Sequence, residues 1–183
     1  ITGCYLDVWD DSILRRSNTP LENIVETLAG EILVKPKEIR PFGCMHVYAM
    51  TPEKAEEYIR EGDIVIVGDR EDAQLDAIER NVSVLIVTGG YQPDPKVLKE
   101  AEDRGIVILC TNFNSFMAAR LLPQSVPISH VMTKDNIVTF DLDDFVEDAQ
   151  KIMAQTRYRS YPVIDDTGRV AGNISRYHLI SNT

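Results

Sequence analysis

The chain has 183 residues, of which 44% are hydrophobic and 26% are charged, a composition typical of a globular protein with one large or two small domains. Its formal net charge is −10, from 29 acidic and 19 basic side chains, so its field repels nucleic acids and acidic membrane surfaces. A small nucleotide can still bind where basic side chains cluster, because short-range contacts outweigh the screened net charge.

Cysteine usage and hydropathy indicate a cytoplasmic protein. The three cysteines, Cys4, Cys44 and Cys110, are an odd number and form no Cys-x-x-Cys pair, so neither a disulfide framework nor a zinc site is predicted. The longest apolar run, residues 106–110, is far shorter than the roughly 20 residues that span a bilayer. The first residue, Ile1, leads us to expect that the chain begins inside a longer protein.

Strand and helix patterns alternate through the middle of the chain. Thr51 is expected to cap a helix that begins at Pro52 and stops near Gly62. Runs of β-branched residues bounded by glycine then predict buried strands, with helices between them. The predicted strands are 64–67, 82–87 and 106–109, and the predicted helices are 69–80 and 95–105. This alternation predicts an α/β domain with a mostly parallel sheet flanked by helices.

A second domain is predicted after residue 122. Pro123 and Pro127 disfavour helix and push their neighbours toward extended backbone, so we place the boundary there. Beyond it the pattern predicts a β-α-β-β-α unit. Its elements are a strand at 137–140, a helix at 144–155, a strand at 161–164, a turn at 166–168, a strand at 170–174 and a helix starting near Ser175.

Two strand-to-helix junctions in the first domain are candidate ligand sites. The glycines of Thr88-Gly89-Gly90 allow backbone amides to approach an anion, although a tight turn is the favoured interpretation because no Gly-x-Gly-x-x-Gly or phosphate-loop pattern is present. The charges of segment 69–72 suit either a ligand or, as we favour, the start of a helix. The three histidines are isolated, and we predict no catalytic residue, no bound metal and no cofactor in the chain itself.

The second domain carries a different kind of cluster. Segment 157–161 brings two guanidinium groups and two tyrosine rings together just before a predicted strand, and Arg176-Tyr177 repeats the pairing after the hairpin. Guanidinium groups bind phosphates in a bidentate manner, and tyrosine rings stack on bases. The alternative is a solvated edge with ordinary aromatic packing, and composition alone leaves both interpretations open.

The order of motifs in the last third of the chain resembles a CBS repeat. The motifs are Val131-Met132-Thr133, Pro162-Val163-Ile164-Asp165 and Gly172-Asn173-Ile174-Ser175. In CBS repeats an Asp commonly follows the last Ser by three positions and lies near the ribose, whereas here His178 stands in its place. The resemblance implies that adenine nucleotides bind here and that the repeat pairs with another copy, giving a homodimer.

The resemblance also assigns candidate site residues. We expect the arginines to contact phosphate and the tyrosines to contact the base or the neighbouring subunit. The predicted nucleotide-binding residues are Met132, Thr133, Arg157, Tyr158, Arg159, Ser160, Tyr161, Ser175, Arg176, Tyr177 and His178.

The middle of the chain, with segments 68–72 and 87–90, resembles a DRTGG domain. A DRTGG domain followed by a CBS repeat is similar to the regulatory region of CBS-containing manganese-dependent inorganic pyrophosphatases. On this basis residues 1–18 are the remnant of a preceding CBS repeat and linker, residues 19–122 the DRTGG domain, and residues 123–183 the CBS repeat. Residues 1–5 would be the closing helix of the preceding repeat.

The resemblance implies a regulatory fragment without catalytic activity. AMP or ADP would inhibit the parent pyrophosphatase, ATP or diadenosine polyphosphates would activate it, and the parent would use Mn or Mg. Two alternatives remain: a purely structural dimerisation module without a ligand, and a small enzyme that uses the Thr88-Gly89-Gly90 junction.

Overall fold

The computed structural model describes residues 10–181, which fall into two compact units divided between Met132 and Thr133. The predicted closing helix over residues 1–5 lies outside the described residues. Among the described residues, no helix is both long and apolar enough to cross a membrane.

The described part of the first unit, residues 10–132, contains α-helices and one sheet. Its helices are α1 (Ile13–Arg16), α2 (Leu21–Thr27), α3 (Pro52–Ala55), α4 (Glu71–Glu79), α5 (Pro95–Arg104), α6 (Ser115–Leu121) and α7 (Ile128–Val131), with a 3-10 helix over Leu122–Ser125. Its strands are β1 (Glu31–Val34), β2 (Met45–Val47), β3 (Ile64–Val67), β4 (Val84–Val87) and β5 (Val107–Cys110).

The sheet of the first unit has the strand order β1-β5-β4-β3-β2. Strands β2 to β5 are parallel, and β1 pairs with β5 in the antiparallel sense at the opposite edge from β2. Every residue of the three central strands is buried, because helices cover both faces of the sheet. The mostly parallel sheet predicted from the sequence is therefore confirmed.

Two hydrophobic layers enclose this sheet. Alternate strand residues point to opposite faces, so Val65 and Val67 pack with α3, α4 and α5, whereas Ile64 and Ile66 pack with α1, α2 and α6. The short aliphatic side chains of α4, such as Ala73 and Ala77, allow that helix to lie close to the sheet.

Some predicted boundaries in the first unit differ from the structure. The edge strands β1 and β2 were not predicted. The helix predicted from Thr51 to Gly62 is α-helical only over Pro52–Ala55. Beyond it the amides of Glu57 and Tyr58 donate to carbonyls three residues back, whereas Ile59 donates four residues back, so the chain continues in irregular turns.

The second unit is a β-α-β-β-α arrangement, as predicted. Its elements are β6 (Phe140–Asp141), α8 (Val146–Thr156), β7 (Ser160–Ile164), β8 (Val170–Ser175) and α9 (Arg176–Ser181). Strand β7 lies in the centre of the sheet, parallel to β6 and antiparallel to β8. The strand predicted over residues 137–140 is limited to Phe140 and Asp141, because only these two residues pair with β7.

One face of this smaller sheet forms the core of the second unit. Tyr161 and Val163 of β7 face α8 and α9, where Met153 and Leu179 pack against them. Residues of the opposite face are half-buried or exposed, including Pro162. This unit also exposes large apolar side chains, among them Phe145 at 77%, Tyr177 at 74% and Val170 at 71%.

Candidate functional site

Two of the segments predicted to bind nucleotide lie side by side in the second unit. Ser160, the first residue of β7, is the register partner of Ser175, the last residue of β8. The loop of residues 157–159 precedes Ser160, and α9 begins directly after Ser175. Antiparallel pairing therefore brings the two arginine- and tyrosine-bearing segments to the same end of the sheet.

The loop between α8 and β7 presents two exposed guanidinium groups. Arg157 ends α8 in the left-handed region, with φ of 60°, and its amide donates to the carbonyl of Met153 at 3.1 Å. The side chains of Arg157 and Arg159 are exposed, and no carboxylate among the described residues lies within 4.0 Å of either guanidinium. Both groups are thus available to pair with a phosphate.

Tyr161 does not occupy the position that the sequence predicted for it. Its side chain is fully buried beside Phe140, with the ring centroids 5.4 Å apart, so the prediction that it contacts a base or a partner subunit is wrong. Its hydroxyl lies 2.7 Å from the hydroxyl of Thr156 and accepts the amide of Tyr158 at 3.0 Å. Tyr161 therefore fixes the loop that carries the two arginines.

Tyr158 is the aromatic side chain of this loop that can reach a ligand. Its side chain is 45% exposed. Its ring packs edge-on against the ring of Tyr161, with the ring centroids 5.9 Å apart, and this contact orients it. Tyr177, at 74% exposure, is a second candidate on α9.

Ser175 and His178 form a cap at the start of α9. The imidazole Nδ1 of His178 accepts the amide of Ser175 at 3.0 Å and lies 3.0 Å from its hydroxyl. This is the geometry of a capping box, in which the side chain three residues into a helix bonds back to the residue before it. His178 therefore supplies a hydrogen-bond acceptor where CBS repeats commonly have an Asp.

Arg176 has a structural contact in addition to its predicted role. Its guanidinium donates to the carbonyl of Met153 near the end of α8, where a cation also suits the negative end of the helix dipole. The same side chain lines an apolar cavity of about 260 Å³ together with Met153 and Leu179. Arg176 thus ties α8 to α9, and it is less free to bind phosphate than Arg157 or Arg159.

Met132 and Thr133 lie on either side of the division between the two units, and both side chains are exposed. Their assignment to a nucleotide site stays a prediction.

The glycine junction of the first unit is a structural turn. Gly89 and Gly90 have φ of 82° and 74°, a region that side chains rarely adopt. Their amides donate to the carbonyls of Phe113 at 2.7 Å and Thr111 at 3.0 Å. Because both amides are already bonded, they do not form an anion cradle, and the tight-turn interpretation is confirmed.

The charged segment after β3 also makes internal contacts. The guanidinium of Arg70 donates to Asp72 at 2.7 Å and to the carbonyl of Met50 at 3.1 Å, and it lies 5.9 Å from the ring centroid of Tyr48. These bonds connect the start of α4 to the chain that follows β2. The interpretation of these charges as part of a helix start is therefore the better one.

The side chains of the first unit give little support to the alternative of a small enzyme that uses the Thr88-Gly89-Gly90 junction. Burial, with a smaller effect of Glu31, raises the pKa of Cys110 to about 11, so its thiol is protonated and weakly nucleophilic at neutral pH. Within residues 10–181, no three His, Cys, Asp or Glu side chains are grouped so as to hold a metal ion.

Comparison with known proteins agrees with the division into two kinds of domain. The DRTGG domain family matches residues 23–125, and the CBS domain family matches residues 128–182. The chain is 47% identical to the cobalt-dependent inorganic pyrophosphatase of Clostridium perfringens, over 99% of this chain and 33% of that protein. It is 30% identical to a probable manganese-dependent inorganic pyrophosphatase of Thermotoga maritima, over 89% of this chain and 30% of that protein.

A solved structure extends the comparison to three dimensions. It contains the CBS and DRTGG domains of the regulatory region of Clostridium perfringens pyrophosphatase, complexed with the activator diadenosine tetraphosphate. The TM-score is 0.87 and the identity 45%, over 94% of this chain and 75% of that chain. The chain spans about a third of the length of the curated pyrophosphatases it matches. It belongs to the DRTGG domain family and carries a CBS domain after the DRTGG domain, as the regulatory region of the clostridial pyrophosphatase does.

Proposed function

We propose that this chain is a non-catalytic regulatory region that binds adenine nucleotides and thereby controls an inorganic pyrophosphatase. The observation that carries the proposal is the pairing of Ser160 with Ser175, which brings the exposed arginines 157 and 159 close to the Ser175–His178 cap. Guanidinium groups for phosphate, a tyrosine ring for the base and a helix cap for hydrogen bonding then share one end of a small sheet. The match to a regulatory region solved with diadenosine tetraphosphate supports the same ligand class.

Charge favours ligands with several phosphates. Arg157 and Arg159 are two cations, one residue apart, without a described carboxylate partner, so a ligand with more phosphate oxygens can form more charge-assisted hydrogen bonds with them. In this proposal ATP and diadenosine polyphosphates activate the parent enzyme and AMP or ADP inhibits it. A nucleotide can shift the enzyme between two states only through a difference in its affinity for them, so the phosphate contacts must differ between those states.

A second copy of the chain is the proposed partner of the CBS unit. The face of its sheet opposite the core is exposed or half-buried, and Val170 at 71% exposure lies beside Ile164 in the register of that face. Large exposed apolar side chains on one small unit indicate an interaction surface. A two-fold pair would also place two nucleotide sites within reach of the two adenosines of one diadenosine polyphosphate.

The remaining properties belong to the parent protein. The names of the related pyrophosphatases specify cobalt or manganese, and we propose that the parent of this chain uses a divalent metal such as Mn or Mg in its catalytic part. A cytoplasmic location is part of the same proposal.

Calorimetric titration of the chain with AMP, ADP, ATP and diadenosine tetraphosphate tests the proposal. We expect binding in the micromolar range, and Arg159→Ala is expected to raise the Kd of diadenosine tetraphosphate roughly tenfold, because one charge-assisted contact is lost. Arg120→Ala is the matched control, since Arg120 is an exposed arginine of the first unit. Absence of binding heat for all four nucleotides would reject the proposal and favour the purely structural dimerisation module.

A further inference from the structure

We propose that the DRTGG unit contains its own binding site for a small amphipathic anion, in a cavity separate from the nucleotide site. The cavity measures about 280 Å³ and lies between the α1–α2 segment and the loop of residues 39–42. Its apolar wall includes Leu14, Leu21, Ile39 and Phe42. The first two of these are almost completely buried, at 0% and 4% exposure, so the wall is continuous with the hydrophobic core of the unit.

Two arginines provide the polar side of this cavity. Arg15 and Arg40 both line it, and none of the described residues that line it is acidic. No described carboxylate lies within 4.0 Å of either guanidinium. Arg40 is half-buried and makes one long hydrogen bond, 3.5 Å, to the carbonyl of Val82. Most of its donors are therefore still available to a ligand.

The same arginine borders a neighbouring cavity. This second cavity, of about 360 Å³, shares Ile39, Arg40 and Pro41 with the first and adds Arg104 and Glu38. Arg40 thus stands between two concave regions whose combined charged lining is three arginines and one glutamate. Arg104 lies 3.8 Å from the Glu100 carboxylate, so the positive charge of this region comes mainly from Arg15 and Arg40. On a chain with a formal net charge of −10, local charge still governs binding at distances shorter than the screening length.

The lining specifies the class of ligand. An aromatic or short aliphatic body would contact the half-buried Ile39 and Phe42, while one carboxylate or phosphate group would pair with Arg15 and Arg40. The exposed side-chain amide of Asn18 adds a hydrogen-bonding partner beside the anion. This inference does not rest on the proposed nucleotide site, because all the residues that carry it belong to the first unit.

The probe for the test is 8-anilinonaphthalene-1-sulfonate, which has an aromatic body and a single anionic group. It would be titrated into the full chain, and binding would be followed by the methyl signals of Leu21 and Ile39 in NMR spectra. Locating the probe by these methyl groups is necessary because exposed apolar side chains of the second unit also attract such dyes. Parallel titrations with phenyl phosphate and benzoate determine which anionic group the site prefers.

We expect saturable shifts of the Leu21 and Ile39 methyl signals, and a Kd raised roughly tenfold by Arg40→Ala and by Arg15→Glu. Arg120→Ala is the control and should leave the Kd unchanged. Thermal melting of each variant separates lost binding from lost folding, and Arg15→Glu, at an exposed position, keeps the test valid if Arg40→Ala unfolds. Unshifted methyl signals, a Kd in both arginine variants that equals the wild-type Kd, or equally tight binding of the uncharged N-phenyl-1-naphthylamine would overturn the inference.

Discussion

Several side chains of the CBS unit hold the structure and shape the candidate site at the same time. Tyr161 is a core residue whose hydroxyl fixes the arginine-bearing loop, and Arg176 joins α9 to α8. Arg157 combines both functions in one residue, since it ends α8 in a left-handed conformation while its guanidinium is exposed. At this position the left-handed backbone therefore favours glycine, whereas contact with a ligand requires the arginine side chain.

Replacement of Arg157 by glycine separates these two functions. Arg157→Gly is expected to relieve the left-handed backbone and stabilise the unit by about 1 kcal/mol, while weakening ATP binding because the guanidinium is lost. Urea unfolding measures the first effect and calorimetry the second. The matched control is Ala29→Gly, at φ of 45° in the first unit, which should gain stability without any change in affinity. An unchanged ATP affinity in Arg157→Gly would show that this guanidinium does not contact the nucleotide.

The sequence predicted the members of this cluster but not their division of roles. Residue types and spacing placed arginines and tyrosines near β7, and the register of β7 with β8 brings them together. Strand alternation directs Tyr161 into the core, whereas its neighbours along the strand point outward. Which of the two alternating sets of residues is buried depends on the face of the sheet against which α8 and α9 pack. The contact of Arg176 with Met153 likewise depends on tertiary packing, so residue spacing alone did not indicate it.

At the scale of the element, a single carboxylate secures the edge strand β2. Asp63, only 4% exposed, accepts the amides of Cys44 at 2.9 Å and Arg60 at 2.8 Å, and its Oδ2 lies 3.0 Å from Nε2 of His46. Gly43 is required beside it, because a Cβ there would lie 2.3 Å from the Asp63 carboxylate. Burial alone would raise the pKa of Asp63, but the bonds from His46, Arg60 and Cys44 outweigh burial and lower it.

Removal of this charge gives a pH-dependent prediction. A carboxyl whose pKa is lower in the folded state stabilises the fold above its unfolded pKa of about 4, and this contribution is lost as the pH falls through the folded value. Asp63→Asn is expected to cost about 1–3 kcal/mol at pH 7 and less at pH 3. Urea unfolding at both pH values measures the difference, with Asp103→Asn, at an exposed position, as the control. A cost that is equal at both pH values would contradict this account.

Element prediction succeeded where burial is complete and failed at the edges of the sheet. The central strands β3, β4 and β5 are continuous runs of apolar residues, mostly β-branched, so their type follows from local sequence. Strand β2 has three residues, and β1 is interrupted by an irregularity between Ile32 and Val34. Both are defined by pairing with distant strands, which a local pattern does not contain.

At the scale of the whole molecule, the two units differ in how completely each covers its own sheet. The first unit covers both faces of its sheet with its own helices. The 3-10 helix Leu122–Ser125 belongs to it, since the side chain of Asn23 donates to the carbonyl of Ser125 at 3.0 Å. The second unit covers one face of its sheet and leaves apolar side chains on its surface. We therefore expect a partner copy to bind at the second unit, where it would cover the exposed apolar side chains.

Sedimentation equilibrium tests the proposed homodimer. We expect a concentration-dependent monomer–dimer equilibrium, and Val170→Asp should weaken association roughly tenfold or more, because it places a charge on the open face of the sheet. The unfolding free energy of the monomer should change little, since Val170 is 71% exposed. Phe116→Asp, at a residue that is 70% exposed on the first unit, is the control. A wild-type chain that stays monomeric, or an unchanged equilibrium in Val170→Asp, would contradict the proposed interface.

The antiparallel edge strand of the first unit has a consequence for the order of folding during synthesis. Strands β2 to β5 lie side by side in the order in which a ribosome makes them, so each can add to the strand made before it. Strand β1 is made before all of them, yet Glu31 pairs with Cys110 on the last strand. The nascent chain must hold β1 unpaired until β5 has emerged from the exit tunnel, and the closing of this edge is the step that completes the sheet.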